Sequence, residues 1–304
     1  MYSLRNKIPK RSVRITRDIC ELLIFEKKFD QAKTELELLV QDSQPPNAKS
    51  VGYKMLSRLN LYLGKYRAAL QMKDRYLDLV KGDLKNTSEE ARTYARRGLI
   101  WLWGWNNIQE AKKEFNKAKK LSGKIKSLFF WMDYFYLCLY IGEFNEAERV
   151  IRDKFDTKDG EFTLSHISNR REYYPFPIAE LHCAKQDCKN ASAVVDSVYD
   201  FTPGFGKITT SFHLAECHIK QGQFEAAEKR LLKLQNIYDY GFGYRAIFYP
   251  NSFYLLGKTY EAQKDTEHAI INYEKFLDIW KDADEDLPEL INAKKRLAEL
   301  KGSP

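Results

Sequence analysis

Apolar residues recur along this chain at i, i+3 or i+4, and i+7, over stretches separated by short breaks rich in Gly, Pro and polar residues. That period marks helices with one buried face. Strand-like alternation of β-branched residues is scarce, and Ala, Leu, Glu and Lys dominate the periodic stretches. The pattern predicts an all-α fold with helix pairs at about 13–40, 50–80, 90–121, 127–155, 172–200, 208–238 and 250–280. The breaks QDSQPPNAKS, GDLKNTS, DTKDGEFTLSHISNRREYYPFP, TPGFGK and DYGFGYRAIFYP carry Pro and Gly where helices should stop. Leu287–Leu300 predicts a last amphipathic helix with Lys294, Lys295, Arg296 and Glu299 towards water, as the cap of a repeat array needs. The most apolar window, Leu128–Ile141, is too short to cross a bilayer and contains Asp133, so it predicts a buried helix.

One short motif repeats at the centre of each pair: Gly or a polar residue, then an aromatic or apolar residue, then Ala. It reads KKFDQA, GKYRAA, NNIQEA, GEFNEA, QDCKNA, GQFEAA and KDTEHA, ending at Ala32, Ala69, Ala111, Ala147, Ala191, Ala227 and Ala269. The alanines lie 37, 42, 36, 44, 36 and 42 residues apart. The alternation of short and long spacings suggests a longer connection after every second repeat. Each position has a physical role. The first residue ends the first helix of the pair, where Gly accepts the left-handed cap conformation. The apolar residue pins the turn. The Ala opens the buried stripe of the second helix and admits its neighbour closely. That stripe continues through Leu36 and Leu39, Phe115 and Ala118, Leu231 and Leu234, and Tyr273 and Phe276.

Residues 250–300 carry the pattern most fully. Leu256, Gly257 and Tyr260 fall on one helix and Ala269, Tyr273, Phe276 and Leu277 on the next, with small residues at the crossing and aromatics beside it. This resembles the tetratricopeptide repeat (TPR) family. The resemblance implies a right-handed superhelical solenoid of about seven hairpins plus a C-terminal capping helix. The expected organisation is a basic tail over 1–12 and a single solenoid over 13–304, with its cap at 287–300. The final segment, WKDADEDLPELINAKKRLAEL, is also similar to the ends of TPR arrays attached to bacterial signalling proteins such as Ser/Thr kinases and nucleotide cyclases. No kinase or cyclase motif accompanies it, so the resemblance implies a non-enzymatic scaffold, in the regulatory part of such a system.

Charge and cysteine usage refine this. The net charge of +8 is uneven: residues 1–152 hold 30 Lys and Arg against 18 Asp and Glu, and residues 153–304 hold 20 against 24. A basic half suits an acidic protein, a nucleic acid or an anionic surface. A nucleic-acid-associated factor is therefore the alternative reading. Five dispersed cysteines suggest no disulfide framework and a reducing compartment, hence a cytoplasmic protein. The first residues are basic without the apolar run of a signal peptide.

No catalytic motif stands out, no cofactor is implied, and the chain reads as no enzyme. Gly204 and Gly206 lack the Gly-Lys-Ser/Thr of a phosphate loop and fit a helix-ending loop. His182, Cys183, Cys188, His213, Cys217 and His218 could form two metal-ligand clusters, but the spacing lacks C-x-x-C. His182 and His218 match the packing position of Tyr260, Cys217 a small-residue position and Cys188 the turn position, so packing explains them and no metal is expected. The lysines Lys112, Lys113, Lys117, Lys119, Lys120, Lys124 and Lys126 read as a solvated outer face, with Phe115 and Leu121 as core.

The resemblance implies a concave groove lined by the first helix of each pair. That face would carry Arg14, Arg17, Lys54, Arg58 and Arg96 early, then Phe129, Met132, Tyr136, Tyr140, Tyr173, Phe176 and Phe212, and finally Tyr254 and Lys258. The expected partner is a protein or peptide segment with acidic residues beside apolar anchors.

Overall fold

The computed structural model describes residues 13–155, 175–198, 204–237 and 243–302. Among them every regular element is helical. Seven hairpins follow in order: α1 (Val13–Phe25) with α2 (Phe29–Leu39), α3 (Pro46–Tyr62) with α4 (Tyr66–Lys81), and α5 (Thr87–Trp105) with α6 (Ile108–Ser122). Next come α7 (Leu128–Tyr140) with α8 (Phe144–Val150), and α9 (Pro175–Ala184) with α10 (Cys188–Val198). The last two are α11 (Gly204–Lys220) with α12 (Phe224–Gln235) and α13 (Arg245–Ala262) with α14 (Thr266–Ile279). α8 runs on into a π-helical turn at Ile151–Phe155, and α15 (Pro288–Leu300) closes the array. Each hairpin packs on the next, which is the helical solenoid expected from the sequence.

The repeated motif does what its chemistry predicts. All seven alanines are fully buried. The residue that opens the motif has positive φ in all seven turns: Lys27, Gly64, Asn106, Gly142, Gln186, Gly222 and Lys264. Three of these are glycines, for which the left-handed region carries no steric cost. In six turns the next backbone N–H bonds the carbonyl five residues back, as Lys65 to Asn60 at 2.8 Å and Asp265 to Tyr260 at 2.9 Å. At the crossing in the last hairpin, a Cβ on Gly257 would lie 2.7 Å from the Tyr273 ring, so only glycine fits there. The window at α7 is buried continuously from Phe130 to Leu139. The α6 lysines are exposed while Phe115 is buried. No helix among the described residues is long and apolar enough to cross a membrane.

Three details differ from the sequence expectation. α3 begins at Pro46, where a proline suits the first helical turn. Gly204 and Gly206 lie in the first turn of α11 rather than in a loop. The third matters most: α13 starts at Arg245 and carries Pro250 inside it. The proline marked a boundary in the sequence, but the Asn251 side chain donates to the Ile247 carbonyl at 2.9 Å and Ser252 to the Tyr249 carbonyl at 2.7 Å. The missing proline N–H removes only the bond to the Ala246 carbonyl, and the helix continues through that single gap.

The array also returns on itself. α13 packs on α3 as well as on its sequence neighbours, with Tyr62 stacked on Tyr249 at 6.0 Å. The Trp280 indole N–H donates to the Tyr62 carbonyl at 3.2 Å, and the Asp284 N–H to the Gly64 carbonyl at 3.1 Å. Gly64 lies under Trp280, where a Cβ would come within 2.8 Å of the indole. Arg67 of α4 forms ion pairs with Asp284 and Asp286, and Trp105 of α5 donates to Asp286 at 3.0 Å. Hairpin 2 is thereby joined to the α14–α15 connection across some two hundred residues of sequence.

Candidate functional site: a cationic face beside an aromatic interior

The expected groove residues divide into two groups. Met132, Tyr136, Phe176 and Phe212 are buried, at 5%, 1%, 2% and 8% exposure. They are filled in by the protein's own rings. Phe212 rests on Phe248 at 4.7 Å, Tyr136 on Tyr244 at 5.5 Å, and a Cβ on Gly206 would touch Phe176 at 3.1 Å. Tyr244 and Phe248 belong to the stretch read in sequence as a loop. The early start of α13 brings them against α5 and α7, with Trp103 edge-on to Phe248 at 5.8 Å. The expectation that these aromatics face solvent without ligand is therefore corrected: they are interior in this structure.

The remaining members scatter. Tyr140, half-buried, meets His213 through its hydroxyl. Tyr254 donates to Asn292 of α15 at 3.0 Å. Arg17 is paired with Asp18 at 2.8 Å on α1. Tyr173 lies outside the described residues.

The interior is polar as well as aromatic. His213 Nδ1 lies 2.5 Å from Glu180, and both side chains are buried. Burial works against a charged imidazole, but the Glu180 carboxylate outweighs it and raises the His213 pKa. The Tyr136 hydroxyl contacts Thr209 at 2.9 Å and donates to Glu180 at 3.4 Å.

Lys54, Arg58 and Arg96 do come together, joined by residues the sequence reading left out. Lys54 and Arg58 are one turn apart on α3, and Arg92 and Arg96 one turn apart on α5. Asp133, at 1% exposure on α7, accepts from the Nε groups of both Arg92 and Arg96 at 2.8 Å, and from the Tyr244 hydroxyl at 2.6 Å. Burial opposes its charge, yet Arg96 and Arg92 hold the carboxyl well below the usual carboxylate range. Glu89 accepts from Tyr76 at 2.6 Å and pairs with Lys54 at 3.7 Å and Arg92 at 3.6 Å. Arg92 also lies over Phe129, 5.1 Å from the ring centre. Phe129 is 59% exposed, so the cluster ends in an uncovered aromatic at its rim. The i,i+4 spacing of Arg92 and Arg96 was the available signal for the missing member.

The cysteines differ from expectation too. Cys188 and Cys217 are disulfide-bonded, with Cα atoms 5.8 Å apart, while Cys20, Cys138 and Cys183 are free and buried. The turn position of hairpin 5 faces the small-residue position of hairpin 6, which brings two residues distant in sequence into bonding range. His182 Nδ1 donates to the Asp187 carboxylate at 3.0 Å and His218 Nδ1 to the Gln223 side-chain oxygen at 2.6 Å, each within its own turn.

Comparison with known proteins agrees with the repeat reading. Residues 207–282 match the tetratricopeptide repeat family. No curated protein sequence matches the chain. Similar solved structures include a tetratricopeptide repeat protein from Parabacteroides merdae, at 13% identity and a TM-score of 0.49, covering 95% of this chain and 98% of that one. NprR in complex with its cognate peptide NprX is similar at 16% identity and a TM-score of 0.46, covering 99% of this chain and 76% of that one. A STAND protein with a tetratricopeptide repeat sensor from Pyrococcus horikoshii gives 14% and 0.42, covering 96% of this chain and 45% of that one.

Proposed function

We propose that this chain, a helical solenoid with tetratricopeptide repeats at 207–282, is a non-catalytic scaffold that binds a protein or peptide segment along the Lys54–Arg92–Phe129 face. The solenoid is taken as one unit over 13–304. The carrying observation is the exposed Phe129 ring stacked under Arg92, beside the half-exposed Lys54. An uncovered aromatic next to fixed cations offers a large rigid contact area together with charge complementarity. A segment with Asp or Glu next to an aliphatic or aromatic anchor fits that pairing. The buried rings of α7, α9 and α11 support the face from behind rather than touching the segment. The similarity of the last repeat to arrays in bacterial signalling proteins makes a regulatory subunit the natural setting for such a scaffold. The cysteine argument for the cytoplasm does not carry over, because it assumed that the cysteines stay unpaired.

The test is a selection of random dodecapeptides on the full chain, followed by affinity measurement of the best binders. Selected peptides should be acidic with one apolar anchor. Phe129→Ala should weaken them about tenfold, mainly through faster dissociation, while Lys54→Glu should slow association and flatten its salt dependence. Peptides without acidic enrichment, or with unchanged affinity for both variants, would refute the assignment of this face.

A further inference from the structure

His213 of α11 and Glu180 of α9 are 8% and 2% exposed, and His213 Nδ1 donates to the Glu180 carboxylate at 2.5 Å. The second ring nitrogen is engaged as well, because the Tyr140 hydroxyl of α7 meets Nε2. Tyr136, also on α7, donates to Glu180 at 3.4 Å. Hairpins 4, 5 and 6 therefore join at one imidazole, through α7, α9 and α11. Rings seal it: Phe248 of α13 lies 5.1 Å from the imidazole and Phe212 5.8 Å. The other ionisable groups facing the pair are Tyr136 and Tyr140 from α7, Cys183 from α9, and Glu216 and Lys220 on α11. Burial pushes both tyrosine hydroxyls and the Cys183 thiol well up, so all three stay neutral, and it raises the Glu216 carboxyl too.

We propose that the His213–Glu180 pair is a proton-operated latch: the protonated imidazole fastens α9 to α7 and α11, and loss of that proton frees α9. An imidazolium donates from both nitrogens, so it serves Glu180 and the Tyr140 oxygen at once and neutralises the carboxylate. The neutral ring still donates to Glu180, but it leaves an uncompensated charge on a carboxylate at 2% exposure. A buried charge stripped of its partner is costly, and the cost is relieved when water reaches Glu180, which requires α9 to move. At ten residues, α9 has less packed surface to give up than α11 with 17 or α13 with 18. The Cys188–Cys217 disulfide keeps the turn of hairpin 5 tied to α11, so the release is a local swing of α9. The direction with pH follows from the pair itself. Burial works against the imidazolium and Glu180 outweighs it, which places the His213 pKa above its ordinary 6.5. A group raised by folding stabilises the fold below its unfolded pKa and ceases to as pH rises through its folded one. The latch is thus closed in mild acid and opens on the alkaline side. It needs no bound segment and stands apart from the peptide-binding reading.

The experiment follows the full chain from about pH 6 to about pH 9, a range that spans histidine titration. Amide exchange of α9 is read against that of α14 in the same sample, which cancels the intrinsic effect of pH on exchange. The α9-to-α14 ratio should rise about tenfold as His213 loses its proton, and the melting temperature should fall over the same range. In Glu180→Gln the sign should reverse: burial alone then acts on His213 and lowers its pKa, so stability rises with pH. His213→Gln should flatten both responses and identifies the His213 ring-proton resonance by its loss. Should either variant misfold, the parent still decides the matter, because its His213 resonance must titrate with a midpoint above 6.5. A midpoint at or below that value would overturn the latch. So would α9 and α14 losing protection in step, or a Glu180→Gln melting profile that follows the parent's.

Discussion

At the scale of single residues, the seven turns are a controlled comparison made by the chain itself. The same backbone conformation is held by glycine at 64, 142 and 222, by asparagine at 106, and by Lys27, Gln186 and Lys264 elsewhere. For a side chain with a Cβ, the left-handed region costs roughly 1–2 kcal/mol. Lys264→Gly should therefore stabilise the protein by about 1 kcal/mol, read as a raised melting temperature, whereas Lys264→Val should destabilise it. Equal melting of the three proteins would mean the turn is not held at φ near 63° in solution. This much was legible in the sequence, because the turn residue, the pinning residue and the Ala act locally and recur at fixed offsets. The cationic cluster was legible only in part. Lys54, Arg58 and Arg96 follow from repeat register, but the engagement of Asp133 by Tyr244 joins residues 111 positions apart and leaves no local trace.

At the scale of elements, the sequence located the hairpins and misjudged two relations between them. Pro250 looked like a helix start, although α13 runs through it with the loss of a single backbone bond. The five extra residues place Tyr244 close beside α7 and Phe248 against α11. The other relation is the disulfide between α10 and α11. Dispersed cysteines give no hint of it, since the pairing depends on two hairpins stacking in one register. Closing a loop across the 29-residue separation of Cys188 and Cys217 constrains the unfolded chain by about 3.5 kcal/mol. Under oxidising conditions the denatured protein should show three titratable thiols, and reduction should lower its melting temperature by several degrees. Five titratable thiols in oxidised protein would contradict the pairing.

At the scale of the whole molecule, the consequence of the repeat stack is its closure. Trp280, Asp284 and Asp286 clasp the turn of hairpin 2, and α13 supplies the rings that fill the face opposite. A face expected to be open for a ligand is thus divided into a buried interior and an exposed rim. Periodicity in the sequence fixes which residues share a face; it does not fix how tightly the array curves, and curvature decides whether that face meets solvent or another helix. The distinction is measurable as the thermal stability of Phe176→Ala beside that of Phe129→Ala. Phe176 is 2% exposed and Phe129 59% exposed. Emptying the buried position should cost about 3–5 kcal/mol and lower the melting temperature markedly, while truncating the rim ring should change it by no more than about 0.5 kcal/mol. A Phe176→Ala protein that melts like the parent would contradict the closed interior and return Phe176 to an open groove.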